Sequence, residues 1–139
     1  QRYHKNPLDM SSDETILAWC DADPGTRYPL IAASATLFKR PNDKEPHQWT
    51  PLTEKLLSHA PDKRAILAII VQRLRPMSWS GSLATKLESR LRLLQQLPIS
   101  GIPELTGDVE AAKRTLEQHI RIEKQREVDE DRYANARFE

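Results

Sequence analysis

One cysteine, four glycines, two phenylalanines and no apolar run longer than seven residues are what this 139-residue chain has little of. The single Cys20 excludes an internal disulfide and fits a reducing cytosol, where a lone thiol serves as a small buried apolar side chain. The longest apolar run, Ala65 to Val71, falls far short of the roughly 20 residues of a membrane helix, so no membrane span is expected. Few glycines and few β-branched or aromatic runs remove the usual material of sheets, whereas Leu, Ala, Glu, Lys, Arg and Gln, which abound, favour helix. Charge of one sign is missing too: 21 basic against 20 acidic residues leave +1, and no whole-molecule field draws the chain to nucleic acid or an anionic membrane. A phosphate loop of the G-x-x-x-x-G-K-[ST] form is absent, and His4, His47, His59 and His119 keep no metal-ligand spacing. The expectation is a single all-α domain, not an enzyme, with no cofactor and a cytoplasmic location. A mean hydropathy of -0.66 adds an elongated shape with much exposed surface.

Six helices can be read along the chain. Ser11-Ser12-Asp13-Glu14 has the capping-box pattern and opens a helix over about 13–21. Asp23-Pro24-Gly25 is a turn, and a second helix runs from about Thr26 to Phe38, with Pro29 tolerable only in its first turn. Lys39 to Gln48, polar and holding two prolines, reads as an exposed loop. Thr50-Pro51 starts a third helix to His59, and a fourth covers about Asp62 to Arg75, apolar on nearly every side and so covered by several neighbours. Ser80 is the expected N-cap of a fifth helix striped by Leu83, Leu87, Leu91 and Leu94. A sixth runs from about Asp108 to Ala134, its stripe of Val109, Ala112, Leu116 and Ile120 fading near Ile122. The expected core also includes Leu17, Trp19, Leu30, Leu37, Leu56, Ile66, Ile70 and Leu74.

Trp19, Trp49 and Trp79 lie thirty residues apart, a period typical of helical arrays. Segments beginning at Asp21 and Ser58 share one grammar: an acid and Pro in a turn, an Arg, a largely apolar helix, and a basic ending before Pro. Asp21-Ala22-Asp23-Pro24-Gly25-Thr26-Arg27, followed by Ala32 and Ala33, resembles the turn and second helix of a HEAT repeat, and Pro61-Asp62-Lys63-Arg64 is similar. The resemblance implies antiparallel helix pairs stacked as a short α-solenoid with a long C-terminal helix, Asp23 and Asp62 capping helices and Arg27 and Arg64 bridging units. Leu97 to Gly107 departs from the pattern and reads as the start of a terminal cap. The phrase RLRPMSWSGSLATKLESRLRLLQQL and the ending Arg137-Phe138-Glu139 resemble the C-terminal helical region of large bacterial multidomain proteins, some with an NTP-binding region upstream. That resemblance, and a chain opening on Gln1, give the expectation of a piece of a longer protein.

Candidate chemistry is sparse. Asp21 and Asp23 are carboxylates at a helix-turn-helix corner, suited to capping rather than acid-base work. The surface with most potential is basic: Arg73, Arg75, Lys86, Arg90 and Arg92, with Lys39 and Arg40, fall near helix ends or outer faces. In a stacked array they would form one stripe able to meet phosphates or an acidic partner. The last nineteen residues carry eleven charges of mixed sign, with Tyr133 and Phe138 as candidate anchors. Residues 1–128 are therefore assigned to a helical-repeat domain and 129–139 to a charged tail. The function expected is a protein-interaction or regulatory scaffold, bound to a protein partner or to other parts of a longer chain. The alternative is a nucleic-acid-binding domain using the basic face.

Overall fold

The computed structural model describes residues 11–76 and 81–137, and among them finds six α-helices and one two-stranded sheet. The all-α reading holds. The expected repeat residue Trp79, the proposed cap Ser80, the anchor Phe138 and His4 lie outside the described residues.

Helix α1 (Asp13–Asp21) begins where its cap allows: Ser12 is extended, and its Oγ accepts the Thr15 N–H at 3.1 Å. The cap is thus one residue later than the box starting at Ser11. Helix α2 (Pro24–Ser34) starts at Pro24, the favoured first helical position, two residues before the expected Thr26. Pro29 consequently sits inside the helix. The carbonyl that loses its partner there belongs to exposed Gly25, where water can satisfy it. The helix also ends early, at Ser34, and the chain turns extended at Ala35.

Helix α3 (Pro51–His59) follows Thr50 as expected, and α4 (Lys63–Arg73) is capped by Asp62, whose carboxylate accepts the Ala65 N–H at 3.1 Å. The capping role that the repeat resemblance implies for Asp62 is seen. Asp23 is also an N-cap, but without a side-chain bond. Helix α5 (Leu83–Gln95) is capped by Ser82, after Gly81 turns the chain at φ 76, a conformation that favours glycine. A 3-10 turn (Pro103–Leu105) leads into α6 (Thr106–Arg137), 32 residues or about 48 Å long.

Packing is pairwise. α1 lies on α2, α3 on α4 and α5 on α6, while α1 also meets α3 and α2 meets α4. The main core runs from Ile16 and Cys20 through Leu56, Leu57, Ile66 and Ile70 to Leu93, Leu94 and Val109. Each such aliphatic contributes roughly 1.5–3 kcal/mol on burial. A smaller cluster of Leu83, Leu87 and Ile120, with Leu91 and Leu116 beside it, holds α5 to α6.

Two core expectations are corrected. Trp19 is 42% exposed and Leu30 51% exposed. In α1 the buried positions are Ile16 and Cys20, four residues apart, so Trp19 falls on their flank. In α2 the buried face is Tyr28, Ile31 and Ala32, which turns Leu30 outward. Leu17, Leu91, Ala112 and Leu116 are half-buried, and the other expected core residues are buried.

The end of α6 is a separate matter. Glu127 reaches across to α5: its carboxylate accepts from Ser82 Oγ at 2.9 Å and from the Ala84 N–H at 3.3 Å, capping α5. From Val128 to Ala136 every residue is exposed, although the helix continues without a break. A chain ending after Val128 is expected to keep its stability within about 0.5 kcal/mol, whereas Glu127→Gln is expected to cost about 1 kcal/mol. Chemical denaturation of both variants checks this; a larger loss for the truncation would place the removed turns in the packed structure.

Candidate functional site

Of the seven cations expected in one stripe, Arg73, Arg75, Lys86, Arg90 and Arg92 fall in three places. Arg73, at the end of α4, donates from Nη1 to the carbonyls of Ala32 and Ala35, at 3.0 Å for Ala32, and so is engaged at the C-terminus of α2. Arg75 is exposed and lines an apolar slot of about 160 Å³ with Leu87, Leu116 and His119, where α4, α5 and α6 converge. Lys86, Arg90 and Arg92 share a polar concavity of about 550 Å³ between α5 and the segment before α3.

The opposite wall of that concavity is a segment expected to be a plain loop. Phe38–Lys39 (β1) pairs antiparallel with Gln48–Trp49 (β2), Phe38 opposite Trp49. Residues 40–47 between them are folded by Asn42, whose Oδ1 accepts the N–H of Lys44 at 2.8 Å and of Glu45 at 3.1 Å. Its amide donates to the Glu45 carboxylate at 3.1 Å, turning that acid back into its own loop. Trp49 Nε1 donates to the Leu93 carbonyl at 2.7 Å, which ties the hairpin to α5. Behind it, Thr53 Oγ1 donates to the Leu37 carbonyl at 2.7 Å. The two walls are therefore fixed relative to each other.

Into this frame the hairpin brings Arg40, Lys44 and His47, and α5 brings Lys86, Arg90 and Arg92, with Ser82, Thr85 and Ser89 on the same helical face. Five cations meet two acids, Asp43 and Glu45, a formal local charge of +3 in a chain of +1. The Arg90 guanidinium stacks over the Phe38 ring at 4.9 Å, and the ring meets His47 edge-on at 5.5 Å. Burial holds the Arg90 pKa below its ordinary value, and the charge of Arg40 adds to the effect. Burial likewise lowers the pKa of His47, reinforced by the positive charges of Arg90, Arg40 and Lys86.

A second surface feature is apolar. Between α1 and α2 an open groove of about 410 Å³ has buried Ile16 and Ile31 at its base and the exposed Trp19 and Leu30 along it. Thr15 and Ser34 supply hydroxyls to the same groove. Arg27 fixes Trp19: its guanidinium lies 4.4 Å from the indole ring centre and Nη1 donates to the Trp19 carbonyl at 2.9 Å. Within the repeat resemblance Arg27 would bridge neighbouring units; here it links the two helices of one pair. Arg64 pairs with Asp108 at 3.2 Å and joins α4 to α6.

Tyr133, 69% exposed, lies on the projecting end of α6, remote in sequence from both features. No group of three or more His, Cys, Asp or Glu side chains that could hold a metal ion occurs among the described residues, and no described helix is long and apolar enough to cross a membrane. Comparison with protein families, curated proteins and solved structures finds no match for this chain.

Sequence reasoning named Lys86, Arg90, Arg92 and Arg40 but not Lys44 or His47. A usable signal was the spacing Ser82, Thr85, Lys86, Ser89, Arg90, which puts short hydroxyls and two cations on one helical face. The groove was missed because Trp19 and Leu30 were counted as core.

Proposed function

We propose that the chain is a protein-interaction scaffold, a short stack of antiparallel helix pairs whose partner is an amphipathic helix seated in the groove between α1 and α2. The observation that carries this reading is the exposure of Trp19 and Leu30 side by side on that groove. A large apolar side chain held rigid at a surface is the usual anchor of a binding interface, and Arg27 already immobilises the indole, so little ordering entropy remains to be lost on binding. Helix-in-groove recognition uses apolar anchors at i, i+3 or i+4 and i+7 of the partner. Arg27, stacked on the Trp19 ring, is the neighbouring charge to be matched, so the partner helix carries an acidic residue beside its apolar face. The solenoid arrangement is supported by the pairing of equivalent helices, α1 with α3 and α2 with α4. In this reading the chain is the C-terminal helical part of a longer bacterial protein.

The test is selection of helical peptides from a displayed library on the full chain, followed by titration against Leu30→Asp. Selected peptides are expected to combine an apolar face with an acid, and Leu30→Asp to weaken them at least about a hundredfold, the loss of a central anchor of about 2.7 kcal/mol. Because Leu30 is half exposed, the variant should unfold within about 1 kcal/mol of the parent. Peptides that bind Leu30→Asp as well as the parent would overturn the reading.

A further inference from the structure

We propose that the concavity between the hairpin and α5 binds a small molecule carrying a diphosphate group. The inference is independent of the apolar groove.

Charge supplies the first argument. Among the described residues none of Arg40, Lys44, Lys86, Arg90 and Arg92 forms an ion pair, although lysines and arginines elsewhere in the chain do. Of the two acids in the concavity, Glu45 is turned onto Asn42. Gathering like charges without counter-ions costs stability, and a fold keeps such a cluster where an anion completes it. The Arg90 guanidinium carries this furthest. Its Nε is buried without a hydrogen-bond partner among the described residues, and its Nη1 reaches only His47 Nδ1, at 3.5 Å. Stacking on Phe38 fixes the group in place with its donors under-used.

The kind of anion follows from number and shape. A formal charge of +3 from two facing walls matches one diphosphate, which carries about three negative charges when free near neutral pH. Guanidinium forks, ammonium groups and the hydroxyls of Thr85 and Ser89 suit a compact group with many acceptor oxygens. A volume of about 550 Å³ exceeds what the diphosphate fills and leaves room for an organic substituent. A nucleic-acid strand fits less well. Arg73 is engaged at α2 and Arg75 faces another slot, so the cations converge on one concavity instead of tracking a backbone. The walls need no rearrangement for binding, since Asn42 folds the loop and Trp49 fastens the hairpin to α5.

Isothermal titration calorimetry of the full chain tests the proposal, with inorganic phosphate, pyrophosphate, a nucleoside diphosphate, a single-stranded RNA and polyglutamate as probes. Pyrophosphate and the nucleoside diphosphate are expected to bind at least about tenfold more tightly than inorganic phosphate. A nucleoside diphosphate tighter than pyrophosphate identifies a nucleotide as the source of the diphosphate; equal affinities identify the diphosphate alone as the recognised element. Arg40→Gln and Lys86→Gln should each weaken pyrophosphate about tenfold, or about 1.4 kcal/mol, while Arg75→Gln and Leu30→Asp leave it unchanged. The imidazole titration of His47 by NMR should move upward when pyrophosphate binds, because the anion offsets Arg90, Arg40 and Lys86 around it. Absence of pyrophosphate binding, RNA or polyglutamate binding more tightly than the diphosphates, or equal loss in Arg75→Gln would overturn the proposal.

Discussion

Ile70→Asp is expected to leave the chain unfolded at room temperature. Ile70 is 0% exposed at the middle of α4, the helix that packs on both α2 and α3. Burying a lone carboxylate in an apolar site costs several kcal/mol even after its pKa rises to leave it neutral, and the lost aliphatic burial adds about 2–3 kcal/mol. Against a typical domain stability of about 5–15 kcal/mol, the sum removes most or all of the margin. Ile70→Val is the matched control, expected to cost about 0.5–1.5 kcal/mol with the fold intact. Circular dichroism with urea titration separates the two. A folded Ile70→Asp with a midpoint near that of Ile70→Val would mean that α4 is not the centre of the core.

How far such placement could be read from the chain depends on the kind of signal each segment carries. Helices α1 and α3 lie where caps and apolar spacing put them, because the Ser12 side chain and Pro51 at the first helical position act within one turn of chain and need no tertiary partner. The α4 run was legible as a helix with several neighbours, and it packs on α2, α3 and the 3-10 turn, although the stripe of Arg64, Ala68 and Gln72 stays exposed. The β1–β2 pairing was not. Two-residue strands have no periodicity, and Phe38 meets Trp49 only because Leu37, Thr50 and Thr53 close the connection behind them. Trp19 and Leu30 failed for another reason: apolar character says that a residue favours burial, but on short helices the face is set by the neighbour it meets. Cys20 and Tyr28, both buried, occupy the face that those two were assigned. The concavity was half legible, its α5 wall through helical spacing and its hairpin wall only through tertiary structure.

Arg73→Ala is expected to destabilise the chain by about 2–4 kcal/mol while leaving anion binding in the concavity unchanged. Helix α2 ends without a basic residue in its last turn and passes directly into extended backbone at Ala35, so its final carbonyls depend on an outside donor. Arg73, on the last turn of α4, provides it through Nη1, which donates to the carbonyls of both Ala32 and Ala35. A cation there also complements the negative end of the α2 dipole. Burial lowers the Arg73 pKa, but a guanidinium remains charged at every working pH, so this contribution is expected to be flat with pH. Removing the side chain leaves two carbonyls short of a donor in a partly buried site and opens the contact between α2 and α4. Arg73→Lys should recover about half of the loss, since an ammonium keeps the charge but, on a shorter and more flexible stem, holds both carbonyls less well than the planar guanidinium does through Nη1. Urea denaturation of the three proteins alongside pyrophosphate titration provides both readouts. A variant as stable as the parent but weaker toward pyrophosphate would move Arg73 from the frame of the fold to its binding surface.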